Sequence, residues 1–121
     1  EVVGISVSRT SDYLNDKIPQ LTSSAIGLLG LGKAPEAGDL TTYDEYVGEG
    51  YGTLTDGARE AIRLVAKTEG VFLDPVYTGK CMAGLIDLIR KKEIDKSETV
   101  VFIHTGGSPA LFAYDKDNLM A

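Results

Sequence analysis

The stretch FLDPVYTGKCMAGLIDLIRKKE, from Phe72 to Glu93, decides the fold because it joins a strand pattern directly to a helix pattern. Its first five residues are typical of a buried strand, and its last dozen repeat apolar side chains at helical spacing. Between the two patterns lie four polar or flexible residues, Tyr77-Thr78-Gly79-Lys80. A purely structural connection needs only a short turn, so we expect this hinge to border a ligand.

Length, composition and charge indicate one globular domain. The chain has 121 residues, of which 43% are hydrophobic and 25% are charged, close to the averages of globular proteins. Its net charge of −6 argues against a nucleic-acid partner, which needs clustered Lys and Arg, and against docking on anionic membranes. The single cysteine, Cys81, can form neither an internal disulfide nor a metal site alone. We therefore expect a cytoplasmic protein without a metal.

Strand and helix patterns alternate along the chain. In order, the predicted elements are a strand from Val2 to Ser8, a helix from about Asn15 to Leu29, a long loop from Lys33 to Thr55, a helix from Asp56 to Thr68, a strand from Val71 to Val76, a helix from about Gly79 to Lys92, a strand from Thr99 to His104, and a short helix from Pro109 to Tyr114. This alternation predicts an α/β fold, with a parallel sheet and helices packed on it. We expect residues 1–121 to form a single α/β segment.

Two of the predicted helices carry a defined apolar face. The first helix places Ile18, Leu21, Ala25, Leu28 and Leu29 at helical spacing. Proline is tolerated in a helix mainly in its first turn, so Pro19 is expected there. In the third helix, the residues expected to point inward are Met82, Leu85, Ile86 and Ile89.

Polar or glycine-rich segments follow all three predicted strands. These segments are Ser8 to Thr10, Val76 to Gly79, and His104 to Gly107. Ligands of open α/β sheets bind beyond the carboxyl ends of the strands, so the three segments predict a small-molecule site. The glycine-rich stretch from Gly48 to Gly52 can fold over it, since glycines let backbone N–H groups approach a ligand. Neither a Ser-His-Asp arrangement nor a phosphate-binding glycine motif is evident.

Each candidate residue also has a structural interpretation. Tyr77 suits a strand end as an amphipathic residue, and Thr78 suits the N-cap of the helix that follows. The run Thr105-Gly106-Gly107 is equally typical of an ordinary strand-to-helix turn. For His104, at the end of an apolar strand, we expect a hydrogen-bonded structural role. Lys80 is expected to face solvent or a substrate.

Two long motifs resemble a known enzyme family. FLDPVYTGKCMAGLIDLIR (72–90) and VVFIHTGGSPALFAY (100–114) are similar to the C-terminal part of the D-cysteine desulfhydrase and 1-aminocyclopropane-1-carboxylate deaminase family. VGISVSR (3–9) and VGEGYG (47–52) fit more weakly and in the same order. The resemblance implies a pyridoxal-phosphate enzyme of fold type II, the tryptophan-synthase-β type. It spans nearly the whole chain but only about the last third of a family member, so we expect a portion of a longer enzyme.

The resemblance also implies roles for particular residues. Tyr51 corresponds to a tyrosine that faces the substrate, and Tyr77 to a second active-site tyrosine near the cofactor ring. Thr78 corresponds to the residue beside the pyridine nitrogen, while Thr105 and the adjoining Gly106 lie near the same ring edge. The family's cofactor-binding lysine and its phosphate-binding loop fall outside this chain. Alone, the chain is therefore expected to be inactive.

Two threonines favour one branch of the family. The deaminases typically carry Glu where Thr78 stands and Leu where Thr105 stands. A carboxylate would hold the pyridine nitrogen protonated and strengthen the ring as an electron sink, whereas a hydroxyl does so less. The weaker sink suffices for eliminating a good leaving group such as thiolate. The resemblance thus implies a D-cysteine desulfhydrase, with the deaminase as the alternative.

The expected cofactor and partners follow from the same resemblance. They are pyridoxal 5'-phosphate, a small amino-acid substrate and a second copy of the enzyme in a homodimer, with no nucleic acid and no membrane. A different class stays open, in which the chain is a non-catalytic α/β fragment stabilised by self-association. An unmatched sheet edge and unmatched apolar faces would favour such association.

Overall fold

The computed structural model describes residues 1–33, 39–115 and 118–119. In chain order the elements are β1 (Val2–Ile5), α1 (Ser11–Leu29), β2 (Leu40–Tyr43), α2 (Asp56–Glu69), α3 (Thr78–Arg90) and a 3₁₀ helix (Ser108–Ala113). The predicted α/β class, a parallel sheet with packed helices, is confirmed. Within the described ranges, no helix combines the length and the apolar character needed to cross a bilayer.

The sheet of the described residues consists of two parallel strands joined through α1. Val2 of β1 lies opposite Leu40 of β2, and Ile5 lies opposite Tyr43. The start of α1 is fastened to β2, because the Ser11 hydroxyl donates to a β2 backbone carbonyl at 2.9 Å. We did not predict β2, which falls inside the stretch assigned entirely to loop. Four residues among glycines and prolines show no sustained alternation, and only the pairing with β1 makes them a strand.

Helix α1 differs from its prediction in three respects. It begins at Ser11, where the Thr10 side chain accepts a hydrogen bond from the Tyr13 N–H at 3.3 Å. Pro19 lies in the middle of the helix and not in its first turn, so one internal hydrogen bond is missing there. The expected apolar face is not buried: Leu21 is 69% exposed and Leu28 is 88% exposed. No element of the described chain packs over that face.

Helices α2 and α3 pack together and enclose the core. Thr55 caps α2 by accepting the Ala58 N–H at 3.1 Å, and Gly70 ends it with a left-handed φ of 66°. The core consists of buried Ile62, Leu73 and Leu119, against which partly buried apolar side chains pack. Those side chains are Leu54, Val65, Met82, Phe102, Leu111 and Tyr114.

Of the four residues predicted to point inward from α3, Met82 packs against the core and Leu85 and Ile86 are partly buried, but the fully buried positions are others. Ala83, Gly84 and Leu88 are buried, whereas Ile89 is 44% exposed. A Cβ on Gly84 would lie 2.7 Å from the Ile5 Cδ1 atom, so α3 approaches β1 as closely as a glycine permits. Close approach by small residues therefore sets the rotation of α3 about its axis.

The two strands predicted at Val71–Val76 and Thr99–His104 do not form in the described chain. Residues 71–74 and 99–107 form no regular secondary structure and lie in no sheet, and Val101 is 80% exposed. A strand needs a neighbour whose backbone pairs with its own. Here the Phe72 carbonyl instead accepts a hydrogen bond from the His104 ring nitrogen Nε2, at 2.9 Å. The two segments are adjacent, but a side chain joins them in place of a backbone ladder.

Candidate active site

The first part of the candidate site is a turn organised by Asp74. This carboxylate is completely buried, and its Oδ2 accepts the N–H groups of Val76 and Tyr77, each at 2.8 Å. Its Oδ1 accepts the N–H and the hydroxyl of Thr78, also at 2.8 Å. The Thr78 hydroxyl in turn accepts the Asp74 N–H at 2.9 Å. The two side chains therefore brace the backbone that carries Tyr77.

The hydrogen bonds of this turn keep the buried carboxylate ionised. Burial alone raises the pKa of Asp74, but donation from the backbone of Thr78, Tyr77 and Val76 and from the Thr78 hydroxyl outweighs burial. The net effect holds the pKa of Asp74 below its ordinary value of 3.8. A negative charge is thus fixed behind the turn.

The glycine-rich segment after the third predicted strand lies against the same carboxylate. Gly107 has a φ of 88°, and a Cβ placed on it would lie 2.7 Å from Asp74 Cγ. Neighbouring His104 accepts the Gly106 N–H on Nδ1 at 3.1 Å, which leaves Nε2 to donate to the Phe72 carbonyl. The predicted structural role of His104 is therefore confirmed. The turn at Asp74 and the segment from Thr105 to Gly107 are side by side.

The centre of the candidate site is a contact between two tyrosines. The hydroxyls of Tyr51 and Tyr77 are in hydrogen-bond contact, and their rings meet edge to face with centroids 5.9 Å apart. Both rings are accessible, Tyr51 being 59% exposed and Tyr77 42% exposed. The hydrogen bond with Tyr51, together with burial and the Asp74 charge, raises the pKa of Tyr77. Tyr77 therefore offers a hydroxyl at an open surface, and its raised pKa makes that hydroxyl harder to ionise.

Lys80 reaches the loop that carries Tyr51, which our sequence prediction missed. Its side chain is completely buried, and Nζ donates to the carbonyl oxygens of Val47 at 2.6 Å and Gly50 at 3.0 Å. The expectation that Lys80 faces solvent is wrong, because its side chain is completely buried. Burial lowers the pKa of Lys80. No pattern near Lys80 in the sequence distinguishes it from a surface lysine.

Two further tyrosines fasten the ends of that loop. Tyr46 donates to Asp87 Oδ2 of α3 at 2.7 Å, and Tyr114 donates to the Gly52 carbonyl. Both hydrogen bonds join residues that lie far apart in the sequence. The loop between residues 46 and 52 is thus held from α3 on one side and from the end of the 3₁₀ helix on the other.

The remaining predicted site residues differ in their exposure and in their contacts. Thr78 is 1% exposed, and its hydroxyl proton is directed at Asp74. It is the first residue of α3, not the cap: Tyr77 occupies the N-cap position. Thr105 is exposed at the surface, and Gly106 has a φ of 95° with no atom near the position of a Cβ. Arg9, in the segment after β1, lies over the Tyr13 ring at 5.3 Å.

Two surface grooves lie away from the tyrosine pair. One, of about 430 Å³, is rimmed by charged side chains of α2 together with Arg90. The other, of about 520 Å³, is mostly apolar and runs between α2, α3 and the segments near Val71 and Phe102. In the described ranges, no group of three or more His, Cys, Asp or Glu side chains could hold a metal ion.

Comparison with known proteins identifies the family. The model of the family described as "Pyridoxal-phosphate dependent enzyme" matches residues 1–106. Proteins named D-cysteine desulfhydrase from Salmonella newport (strain SL254) and Salmonella typhi are each 46% identical over 114 residues, covering 94% of this chain and 34% of the relative. A crystal structure described as an ACC deaminase homologue superposes with a TM-score of 0.79 at 41% identity, covering 98% of this chain and 34% of that one.

These matches confirm the resemblance drawn from the two long motifs. They also define its extent, because the chain spans about a third of the length of the curated relatives it matches, 34% in each case. The family model covers well over half of this chain. The chain therefore belongs to the pyridoxal-phosphate dependent enzymes.

Proposed function

We propose that this chain supplies one wall of the active site of a pyridoxal-phosphate-dependent lyase that acts on D-cysteine. The reaction converts D-cysteine and water into pyruvate, sulfide and ammonia. The observation that carries the proposal is the hydroxyl contact between Tyr51 and Tyr77, which joins the glycine loop to the Asp74 turn at an open surface. The 46% identity to proteins named D-cysteine desulfhydrase supports this choice of substrate.

The surroundings of the tyrosine pair leave room for a planar ring. A Cβ at Gly50 or at Gly106 would meet no atom within 4 Å, so both glycines border open space. The Thr78 hydroxyl, which here donates to Asp74 and accepts the Asp74 N–H, would turn its O–H toward the ring nitrogen and donate to it. Thr105 and the Gly106 backbone would hold the ring edge. When bound, the cofactor supplies the electron sink that stabilises a carbanion.

In this proposal the two phenols handle the substrate. Tyr77 is a phenol with a proton to donate, and the Tyr51 hydrogen bond raises its pKa further above the ordinary value of 10.0. A protonated phenol donates to a carboxylate or to a departing thiolate, which orients the substrate and polarises the bond to be broken. Tyr51, more exposed than Tyr77, contacts the part of the substrate nearer to solvent. The Asp74 turn holds Tyr77 in place for this work.

A second candidate activity is that of a 1-aminocyclopropane-1-carboxylate deaminase. The crystal structure described as an ACC deaminase homologue favours it, at 41% identity over nearly the whole chain. The threonines at positions 78 and 105 disfavour it, since a neutral hydroxyl supports a weaker electron sink than a carboxylate.

We further propose a cytoplasmic homodimer for the whole enzyme. A non-catalytic segment that associates with itself is the remaining alternative, and the exposed apolar side chains support it. Val101 is 80% exposed, Ile103 is 75% exposed and Phe112 is 85% exposed. Burial of such side chains favours association. Sedimentation of the chain over a range of concentrations would distinguish a monomer from a self-associating species.

The proposed activity is tested by complementation. The chain would be mixed with a polypeptide covering the other two thirds of the Salmonella typhi relative and with pyridoxal phosphate. We expect a visible absorbance band and sulfide release from D-cysteine, faster than ammonia release from 1-aminocyclopropane-1-carboxylate. The matched control is Tyr77→Phe, which keeps the ring and removes the hydroxyl, and should bind the cofactor with reduced turnover. A mixture that never absorbs above the free cofactor would refute the proposal.

A further inference from the structure

The charge of the buried lysine of α3 is stabilised by backbone carbonyl groups. Lys80 lies in the first turn of α3, and its ammonium donates to the carbonyl oxygens of Val47 and Gly50 at 2.6 and 3.0 Å. Across residues 1–33, 39–115 and 118–119, no carboxylate forms an ion pair with it. Lysine is almost never fully buried unless it is paired. Here the partners are the backbone dipoles of a single loop.

Packing alone does not account for a lysine at this position. Removing an ammonium from water is costly, and the lowered pKa of Lys80 reflects this cost. A well-packed apolar side chain of similar volume would fill the same space without it. What the ammonium adds is two directed hydrogen bonds to carbonyls 33 and 30 positions earlier in the sequence. Lys80 therefore serves to hold the loop in position.

The loop held by Lys80 carries one of the two active-site tyrosines. Gly50, whose carbonyl accepts from Lys80, directly precedes Tyr51 in the chain. The Tyr51 hydroxyl contacts Tyr77, which lies three positions before Lys80. One short segment, residues 77–80, thus contacts the loop both at the backbone and at the tyrosine ring. We infer that Lys80 is a positioning residue that fixes Tyr51 against Tyr77.

The other tethers of the loop make this inference specific. Tyr46 is held by Asp87, and the Gly52 carbonyl is held by Tyr114, so both ends of the loop have their own partners. Lys80 alone among these side chains reaches the middle. Its loss should release the stretch around Tyr51 and leave the ends attached. The inference concerns the geometry of the tyrosine pair, and it rests on the proposed function only for the use of that pair.

The test measures the tyrosine pair directly in the 121-residue protein by NMR with labelled tyrosine rings. Lys80→Met keeps a chain of similar length and removes the ammonium. We expect it to abolish the nuclear Overhauser effect between the Tyr51 and Tyr77 rings and to shift the titration of Tyr77 downward. Tyr51→Phe should cause a downward shift of the same kind, and Lys80→Met added to Tyr51→Phe should cause no further shift. This lack of additivity separates positioning from a general loss of stability.

The matched control removes an exposed lysine from the neighbouring helix. Lys67→Met lies in the last turn of α2 and should leave the ring contact and the titration of Tyr77 unchanged. A folded Lys80→Met protein that retains both signals would overturn the inference. No cofactor or substrate enters the measurement, so its failure would leave the complementation result unaffected.

A second variant covers the case in which Lys80→Met does not fold. Lys80→Ala deletes the atoms of a propylammonium ion, which can be added back to the solution. We expect propylammonium to restore the contact between the Tyr51 and Tyr77 rings and propanol, of the same length but uncharged, not to do so. If propylammonium restores neither the fold nor the contact, the inference is wrong.

Discussion

The turn that carries Tyr77 and the loop that carries Tyr51 are held by opposite charges in opposite ways. Asp74 accepts hydrogen bonds from groups no more than four positions further along the chain. Lys80 donates to carbonyls thirty or more positions away. One half of the tyrosine pair is therefore built locally, and the other half exists only after the chain has folded. This difference explains why the contacts of Asp74 can be related to a short stretch of sequence, whereas the contacts of Lys80 cannot.

Removing the carboxylate should have the largest effect, because it dismantles the local half. Asp74→Ala should lower the free energy of unfolding by at least about 4 kcal/mol, since four donors lose their acceptor and each buried donor left without one costs about 1–3 kcal/mol. Urea denaturation would measure the loss. Asp12→Ala, at an exposed position in the first turn of α1, should change the stability by less than about 0.5 kcal/mol. Equal effects of the two substitutions would show that the turn does not depend on its carboxylate.

A pair of neighbouring glycines tests how closely the segment from Thr105 to Gly107 packs on the turn. Both Gly106 and Gly107 have positive φ, but only at Gly107 would a Cβ meet the Asp74 side chain, at 2.7 Å. Gly106→Ala should cost about 1 kcal/mol of stability from backbone strain alone, and Gly107→Ala about 2–3 kcal/mol from strain plus overlap. Thermal unfolding of both variants would measure the difference. Indistinguishable losses would mean that the segment yields without disturbing Asp74.

Acid should weaken the Asp74 turn, because the turn depends on an ionised carboxylate. Because the pKa of Asp74 in the folded chain lies below its ordinary value of 3.8, its contribution to stability is complete above that value. The contribution is lost as the pH falls through the lower, folded-state pKa. Asp74→Asn removes this titration, so its stability should depend less steeply on pH in that window. Stability curves measured between neutral pH and pH 2 would compare the two proteins, and parallel curves would assign the acid sensitivity to other carboxylates.

The smallest expected effect concerns the contact between the two halves. Tyr51→Phe removes the hydroxyl that raises the pKa of Tyr77, so that pKa should fall toward its ordinary value of 10.0. Ring NMR at increasing pH would follow Tyr77 directly. Tyr13→Phe, whose ring lies beside Arg9, should leave the titration of Tyr77 unchanged. An unaltered pKa in Tyr51→Phe would mean that the two hydroxyls do not share a hydrogen bond in solution.

The accuracy of the sequence predictions follows the same division between local and distant contacts. Helix α2 was predicted within one residue of each end, since its cap at Thr55, its apolar period and its stop at Gly70 are all adjacent in sequence. The predicted strands at Val71–Val76 and Thr99–His104 were wrong, because apolar composition identifies extended chain but not a pairing partner. The reverse error was β2, whose four residues become a strand only by pairing with β1. The prediction of a buried apolar face on α1 was wrong for the same reason, since amphipathic spacing does not show whether another element packs on that face.

For the candidate site, residue identity was more predictable than environment. The family resemblance indicated Tyr77 through the motif DPVYTGK and Tyr51 through the motif VGEGYG, and these two side chains meet. The roles assigned to Thr78, Thr105 and Gly106 stay predictions. Lys80 was misjudged, because a lysine in the first turn of a helix is usually solvated and nothing nearby in the sequence indicates otherwise.

The sequence by itself determined the family, the α/β class and the ends of α2, because each depends on a motif or on neighbours a few residues apart. Only the tertiary structure decided that α3 packs through its small residues, that β1 and β2 pair, and that Lys80 is buried beneath the loop of Tyr51. The physical reason is the range of the interactions. Backbone turns and caps are satisfied within one turn of chain, whereas the ammonium of Lys80 finds its acceptors only when α3 and the glycine loop are brought together.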